Sequence, residues 1–216
     1  MMYLRSKRKQ KNKMLIQEIK PVGSKKGKYK VCLEDGADFV LYKKEVAQFS
    51  LEIGMELTPE LYERILREVC IPRAKRRAMH LLEKMDRTEE QLISKLKENG
   101  YPPEAVEEAI TYVKSYHYID DERYASNYVR FHQGQKSRQR IKTDLLRKGI
   151  SKELVELALE NEFAASEEDM IRVLLEKKHY DPETADRKER EKMFRFLLQR
   201  GFHSSDIQRA LGRDLW

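Results

Sequence analysis

Long apolar runs are missing from this 216-residue sequence: the uninterrupted ones, such as residues 14–16, are only a few residues long. That excludes a membrane-spanning helix and the apolar core of a signal peptide, so the cytoplasm is the expected location and no membrane partner is expected. Cysteine is nearly absent. Cys32 and Cys70 stand far apart among apolar neighbours and outside any CxxC pair, which excludes a disulfide framework and predicts buried, reduced thiols. The five histidines (His80, His117, His132, His179, His203) show neither HExxH nor any other ligand spacing, so no metal is predicted. With no GxSxG and no GxGxxG stretch, the usual routes to a hydrolase or a dinucleotide enzyme are closed. A non-enzymatic chain with no cofactor and no small-molecule substrate is expected.

Core-forming residues are also sparse. Charged residues make up 38% of the chain and the mean hydropathy is −0.79, more polar than a compact globule of this length requires. An extended array with much surface per residue suits that composition. Charge itself is unevenly spread. Residues 1–30 hold eleven Lys/Arg against the single acid Glu18, which is +10 of a formal net charge of +7 and leaves −3 for the rest. Overall basicity therefore resides in an N-terminal arm, and nucleic-acid binding elsewhere has to rest on local patches.

Residues 1–13 alternate basic and polar types and are predicted to be a flexible arm. A β-containing extension follows over 14–57. Lys28–Leu33 and Phe39–Tyr42 read as a hairpin around a turn that includes Gly36, and Ile16–Pro21 is positioned to add a third strand. Thr58-Pro59-Glu60 is an N-cap with proline in the first turn, and Leu61, Ile65 and Val69 recur at helical spacing, giving a connecting helix over 58–71.

Beyond that point the chain repeats itself. With Gly100, Gly149 and Gly201 aligned, the next residues are Tyr101, Ile150 and Phe202, and six positions on stand Val106, Val155 and Ile207. Ala109, Ala158 and Ala210 follow nine positions after the glycines, with Leu96, Leu145 and Leu197 four before and Leu92, Ile141 and Met193 eight before. This describes a helix with an apolar stripe that ends on a glycine, an apolar plug, and a second helix whose alanine permits close approach. Thr88 and Ser137 are N-caps twelve positions ahead of the first two glycines; Glu189 stands there in the third copy. A preceding helix is marked by Ala78, Leu81 and Leu82, by Ala125, Tyr128 and Val129, and by Ile171, Leu174 and Leu175. The predicted fold is therefore mainly α: three tandem three-helix repeats over 72–118, 119–162 and 166–212, forming an elongated, curved array behind a small β-hairpin or three-stranded element.

Several motifs invite chemistry. In Ile119-Asp120-Asp121-Glu122-Arg123-Tyr124-Ala125 three consecutive carboxylates suggest a metal-dependent nuclease, but acids adjacent on a helix point in different directions. Asp120 as N-cap, Asp121 and Glu122 in the first turn, and Ile119 with Tyr124 as a hydrophobic staple account for them better. Gly23-Ser24-Lys25-Lys26-Gly27-Lys28 is too short between glycines for a phosphate-binding loop, lacks the hydroxyl residue and leads into a strand. Two stretches are locally basic. One holds Arg73, Lys75, Arg76 and Arg77. The other runs from Arg123 through Arg130, Lys136, Arg138, Arg140 and Lys142 without an acid before Asp144, and Arg147 and Lys148 follow. Arg140 and Arg147, seven apart, project at nearly one angle and are expected to be available to phosphate or an acidic surface. Arg187, Lys188, Arg190 and Lys192 are interleaved with acids and read as a solvated helix.

The acidic stretch at 119–125 resembles the "iDDxrfA" signature of the RecX family, and Leu145-Leu146-Arg147-Lys148-Gly149-Ile150 resembles its "L..KGI" segment. The resemblance covers about residues 75–211, and residues 15–57 resemble the β-containing extension of longer members. It implies a regulator that lodges in the groove of the RecA filament on DNA and restrains recombination and repair, with the RecA filament and single- and double-stranded DNA as partners. Arg76, Arg77, Arg130, Lys136, Arg138, Arg140, Lys142, Arg147 and Lys148 are the expected contact residues. Asp120, Asp121, Tyr124 and the three repeat glycines are the expected structural signature. The alternative is a stand-alone, non-specific nucleic-acid-binding repeat protein acting through the N-terminal arm.

Overall fold

The computed structural model describes residues 14–23 and 27–212; the basic arm at 1–13 and Lys25 and Lys26 of the glycine-flanked loop lie outside them. The chain divides into two compact units, residues 1–85 with 92–118, and residues 86–91 with 119–216.

In the first unit, strands β1 (Ile16–Pro21), β2 (Lys28–Leu33) and β3 (Phe39–Tyr42) form an antiparallel sheet in that order. Val31 pairs with Phe39 and Lys28 with Tyr42. The alternation expected of a half-buried sheet places Val31, Leu33, Phe39 and Leu41 in the core. Asp38 fixes the turn by accepting the Leu33 N–H at 3.0 Å. Helix α1 (Lys43–Gln48) follows directly and has no counterpart in the sequence pattern.

Thr58 caps α2 (Pro59–Ile65) by accepting from Leu61 N–H at 3.2 Å. A single π turn, Leu66–Cys70, then leads without a break into α3 (Ile71–Lys84). Proline explains the wide turn. Pro72 lacks an N–H for the carbonyl one turn earlier and its ring crowds that carbonyl, and the π turn absorbs the mismatch. The connecting segment and the first helix of the first repeat are thus one helical run. Alanines at Ala74 and Ala78 of α3 and Ala105 and Ala109 of α5 (Pro103–Ser115) are fully buried, as a close helix pair requires. Helix α4 (Glu89–Glu98) ends at Gly100, whose carbonyl accepts from Val40 N–H at 3.0 Å, pairing the repeat with the free edge of β3. Cys70 is buried and its thiol is pushed up to about 12 by burial; Cys32 is only half-buried, and both are free.

The second unit holds α6 (Asp121–His132), α7 (Arg138–Arg147) and α8 (Lys152–Glu162), then α9 (Glu167–Glu176), α10 (Arg187–Gln199) and α11 (Ser204–Leu211). Each triplet buries its own cluster, around Ile141, Leu145 and Leu159 in one and Ile171, Leu197 and Phe202 in the other. Phe163 packs against both clusters.

One joint recurs inside this unit. Ser137 caps α7 by accepting from Arg140 N–H at 3.1 Å and donates its own proton to the Gly201 carbonyl at 2.7 Å. Glu167 accepts from Arg138 N–H at 2.8 Å. In the same way Thr88 accepts from Gln91 N–H at 3.3 Å and donates to the Lys148 carbonyl at 2.5 Å, while Asp121 accepts from Glu89 N–H at 2.9 Å. Thr88 and Ser137 are the buried polar residues among those described, and both are satisfied by this arrangement. Asp120 caps α6 through Arg123 N–H at 2.9 Å. The two acids of the resemblance motif therefore terminate helices. Among the described residues no group of three or more potential ligands could hold a metal ion, and no helix is long and apolar enough to cross a membrane.

Candidate interface on the second repeat

Tyr124, Tyr128 and His132 are four residues apart on α6, which aligns them along one face. Ala125 and Val129 take the buried side, so the three rings are left half-buried at the surface of α6. Tyr124 and Tyr128 stack at 6.3 Å between centroids, and Tyr128 and His132 at 3.9 Å. Phe131 adds an exposed ring, 73% accessible and edge-on to His132 at 5.1 Å.

A second four-residue ladder supplies the charge: Lys136, Arg140, Asp144 and Lys148. Asp144 is its centre, with a side chain 14% exposed. Lys136 lies 2.8 Å from one carboxylate oxygen and Arg140 3.2 Å from the other, and the Tyr128 hydroxyl donates to it at 3.2 Å. Lys136 also donates to the Tyr128 hydroxyl at 3.0 Å. The Lys148 ammonium sits 5.4 Å from the Tyr128 centroid and 5.7 Å from that of Tyr124, within cation–π range. Three cations against one acid leave this aromatic face with an excess of positive charge.

Burial acts to raise the Asp144 carboxyl, but the hydrogen bond and charge of Lys136, with Arg140 and Tyr128, outweigh it and hold the group below the usual carboxylate range. His132 is shifted down, first by burial and then by the nearby lysines, against its bond to the Tyr128 carbonyl. Since that carbonyl only accepts, the 2.8 Å contact places the imidazole proton on Nδ1. A neutral, stacked imidazole results at pH 7. A depressed carboxyl stabilises the fold above its ordinary value near pH 4 and loses that contribution as pH falls through its lower folded value. Urea midpoints of the wild type and Asp144→Asn are therefore expected to differ at pH 7 and to converge as pH falls below the ordinary carboxylate value near 4. A difference that stays constant through that fall would contradict the pairing.

The remaining predicted contact residues are dispersed. Arg130 forms a two-pronged pair with Glu162 at 2.5 and 2.6 Å, and Lys142 pairs with Glu156, so both are engaged by α8. Arg138 donates through a side-chain nitrogen to the Leu159 carbonyl at 3.4 Å. Arg76 and Arg77 belong to α3 of the first unit, where Arg77 donates to Asn99 at 3.1 Å. Arg147 is exposed and makes no ion pair with any described residue. The expectation that Arg140 stands available beside Arg147 is corrected: Arg140 is tied to Asp144. The run is acid-free along the chain but not in space, because Asp144, Glu156 and Glu162 fold back onto it. What sequence reasoning missed is the ring ladder. Its signal was the spacing of four in both 124–132 and 136–148.

Models of the first, second and third three-helix domains of RecX match residues 74–112, 120–159 and 166–211, in that order. The regulatory protein RecX of Caldanaerobacter subterraneus subsp. tengcongensis is 33% identical over 189 residues, 87% of this chain and 93% of that protein. The chain belongs to the RecX family. The regulatory protein RecX of Clostridium perfringens strain 13 is 32% identical over 166 residues, 76% of each chain. A crystal structure of regulatory protein RecX is similar with a TM-score of 0.54 and 26% identity, covering 91% of this chain and 98% of that one. The three RecX domains coincide with α3–α5, α6–α8 and α9–α11, and the ring ladder lies in the second domain.

Proposed function

We propose that this RecX-family chain is a cytoplasmic, non-enzymatic regulator of RecA, which binds the RecA filament on DNA and lowers its ATPase and strand-exchange activity. The observation that carries the reading is the ordered match of all three RecX three-helix domains, together with relatives named as regulatory proteins over nearly their whole length. The second-repeat face suits the task. Rings with a cationic roof stack on unpaired bases or pack on a partner's apolar surface, and the excess positive charge favours phosphate and acidic side chains. Individually modest contacts, repeated over successive helical modules, act together on a filament.

Co-sedimentation tests this reading against the stand-alone nucleic-acid binder. With RecA assembled on single-stranded DNA, the chain is expected to pellet with the filament in stoichiometric amounts, and to pellet far less with the same DNA alone. Equal pelleting with and without RecA would overturn the proposal in favour of the alternative.

A further inference from the structure

The first unit contains a polar cavity of about 430 Å³ between β3 and α3. Lys28 enters from β2, Val40 and Tyr42 form a wall from β3, and Arg73, Arg76 and Arg77 enter from α3. None of the residues lining it is acidic. Two acids pair with its lining residues: Glu45 with Arg73, both side chains less than one-fifth exposed, and the exposed Glu83, 3.6 Å from the His80 ring. Arg73 is further fixed 4.5 Å above the Tyr42 ring, so it serves as a structural brace.

The other three cations are differently placed. Lys28 lies 5.6 Å from the Tyr42 centroid. Arg77 donates through Nε to Asn99, which orients its guanidinium and leaves its terminal nitrogens without a partner among the described residues. Arg76 is exposed and makes no ion pair with a described residue. Three like charges gathered at one concavity repel each other, and the repulsion is relieved by an anion that can be shared among them. Adjacent arginine forks with a lysine match the oxygens of a phosphate, which accepts several charge-assisted hydrogen bonds at once. The volume lies in the range of small-ligand sites and exceeds what a bare phosphate fills, and Val40 and Tyr42 offer a surface for an organic body.

We infer that this cavity is a binding site for a nucleotide phosphate, held by Lys28, Arg76 and Arg77 with its nucleoside against Val40 and Tyr42. The same chemistry is presented by a free nucleotide and by a nucleotide within a single strand. The inference does not depend on RecA, and its test contains none.

Binding of thymidine 5′-monophosphate by calorimetry, and of a fluorescent oligothymidylate by anisotropy, is measured with the full chain, with Arg76→Glu/Arg77→Glu, and with the milder Arg76→Ala. The double variant is expected to lose at least tenfold in affinity for whichever probe binds, and Arg76→Ala at least threefold, with affinity falling as salt rises. Loss confined to the mononucleotide identifies a free nucleotide as the ligand; loss confined to the oligomer identifies the strand. Circular dichroism confirms folding, and if the double variant is not folded Arg76→Ala decides alone. Binding of neither probe, or oligomer binding that changes by less than threefold in Arg76→Ala, overturns the proposal.

Discussion

Replacing Arg147 and Lys148 together by glutamate is expected to weaken binding to RecA filaments on single-stranded DNA by at least tenfold near 0.1 M salt. Four units of charge change on or beside the aromatic face, and at that ionic strength charges interact over about 10 Å, enough to reach a docked phosphate or carboxylate. A tenfold loss is only about 1.4 kcal/mol, a modest demand on two reversed charges at an interface. The fold should survive. Arg147 is exposed, and Lys148 contributes a cation–π contact and a favourable charge at the end of α7, together worth roughly 1–2 kcal/mol. Arg130→Ala is the control, because Arg130 is engaged with Glu162 on the α8 side, and filament binding there should change less than twofold. Equal losses in the two variants would mean that net charge, and not this face, drives association. Arg140→Glu is unsuitable for such a test: it removes a cation paired directly with Asp144 and disturbs a side chain packed at Gly201.

Gly201→Val should produce the largest change in stability. Gly201 adopts φ +89°, in the region that disfavours residues with a β-carbon, at about 1–2 kcal/mol. A β-carbon there would also stand 2.6 Å from both the Arg140 Cβ and the Ser137 Oγ, and such overpacking costs about 1–3 kcal/mol more. Together these lower stability by roughly 2–5 kcal/mol, which displaces a urea midpoint by about 1 M or more. The damage should be local. Hydrogen exchange is expected to accelerate in α9–α11 and at the start of α7, because the Ser137–Gly201 bond joins them. Gly134→Ala, where an added β-carbon meets nothing within 4 Å, should leave the midpoint within about 0.5 kcal/mol of the wild type. Equal effects at the two glycines would refute the joint.

Much of this architecture was legible because it is written locally. The β-favouring segments on either side of the Gly36 turn marked the hairpin and its third strand, and the capping residues Thr58, Asp120 and Ser137 marked helix starts that the backbone honours. The third repeat departs from the alignment for a local reason as well: Asp186, not Glu189, caps α10 by accepting the Glu189 N–H at 2.7 Å, so that helix begins earlier. Features set by tertiary context were not legible. Helix α1 is a short element stabilised beside the sheet, and the π turn answers a proline inside a helix continuous on both sides. The same distinction separates what was read of the interface from what was missed. A basic run can be seen in one segment, but its neutralising acids arrive from fourteen and thirty-two residues away, at Glu156 for Lys142 and Glu162 for Arg130. Tyr128 was visible only as a marker of a helix: its stacking between Tyr124 and His132 follows from the spacing of four along α6 and went unread, whereas its bond to Asp144 required α6 and α7 to be side by side.

The most direct test is the steady rate of ATP hydrolysis by RecA on single-stranded DNA as the full chain is added. A fall in rate that saturates near stoichiometric chain, and that Arg147→Glu/Lys148→Glu fails to produce, is the predicted result. An unchanged rate at stoichiometric chain, with the filament intact, would contradict the regulatory reading.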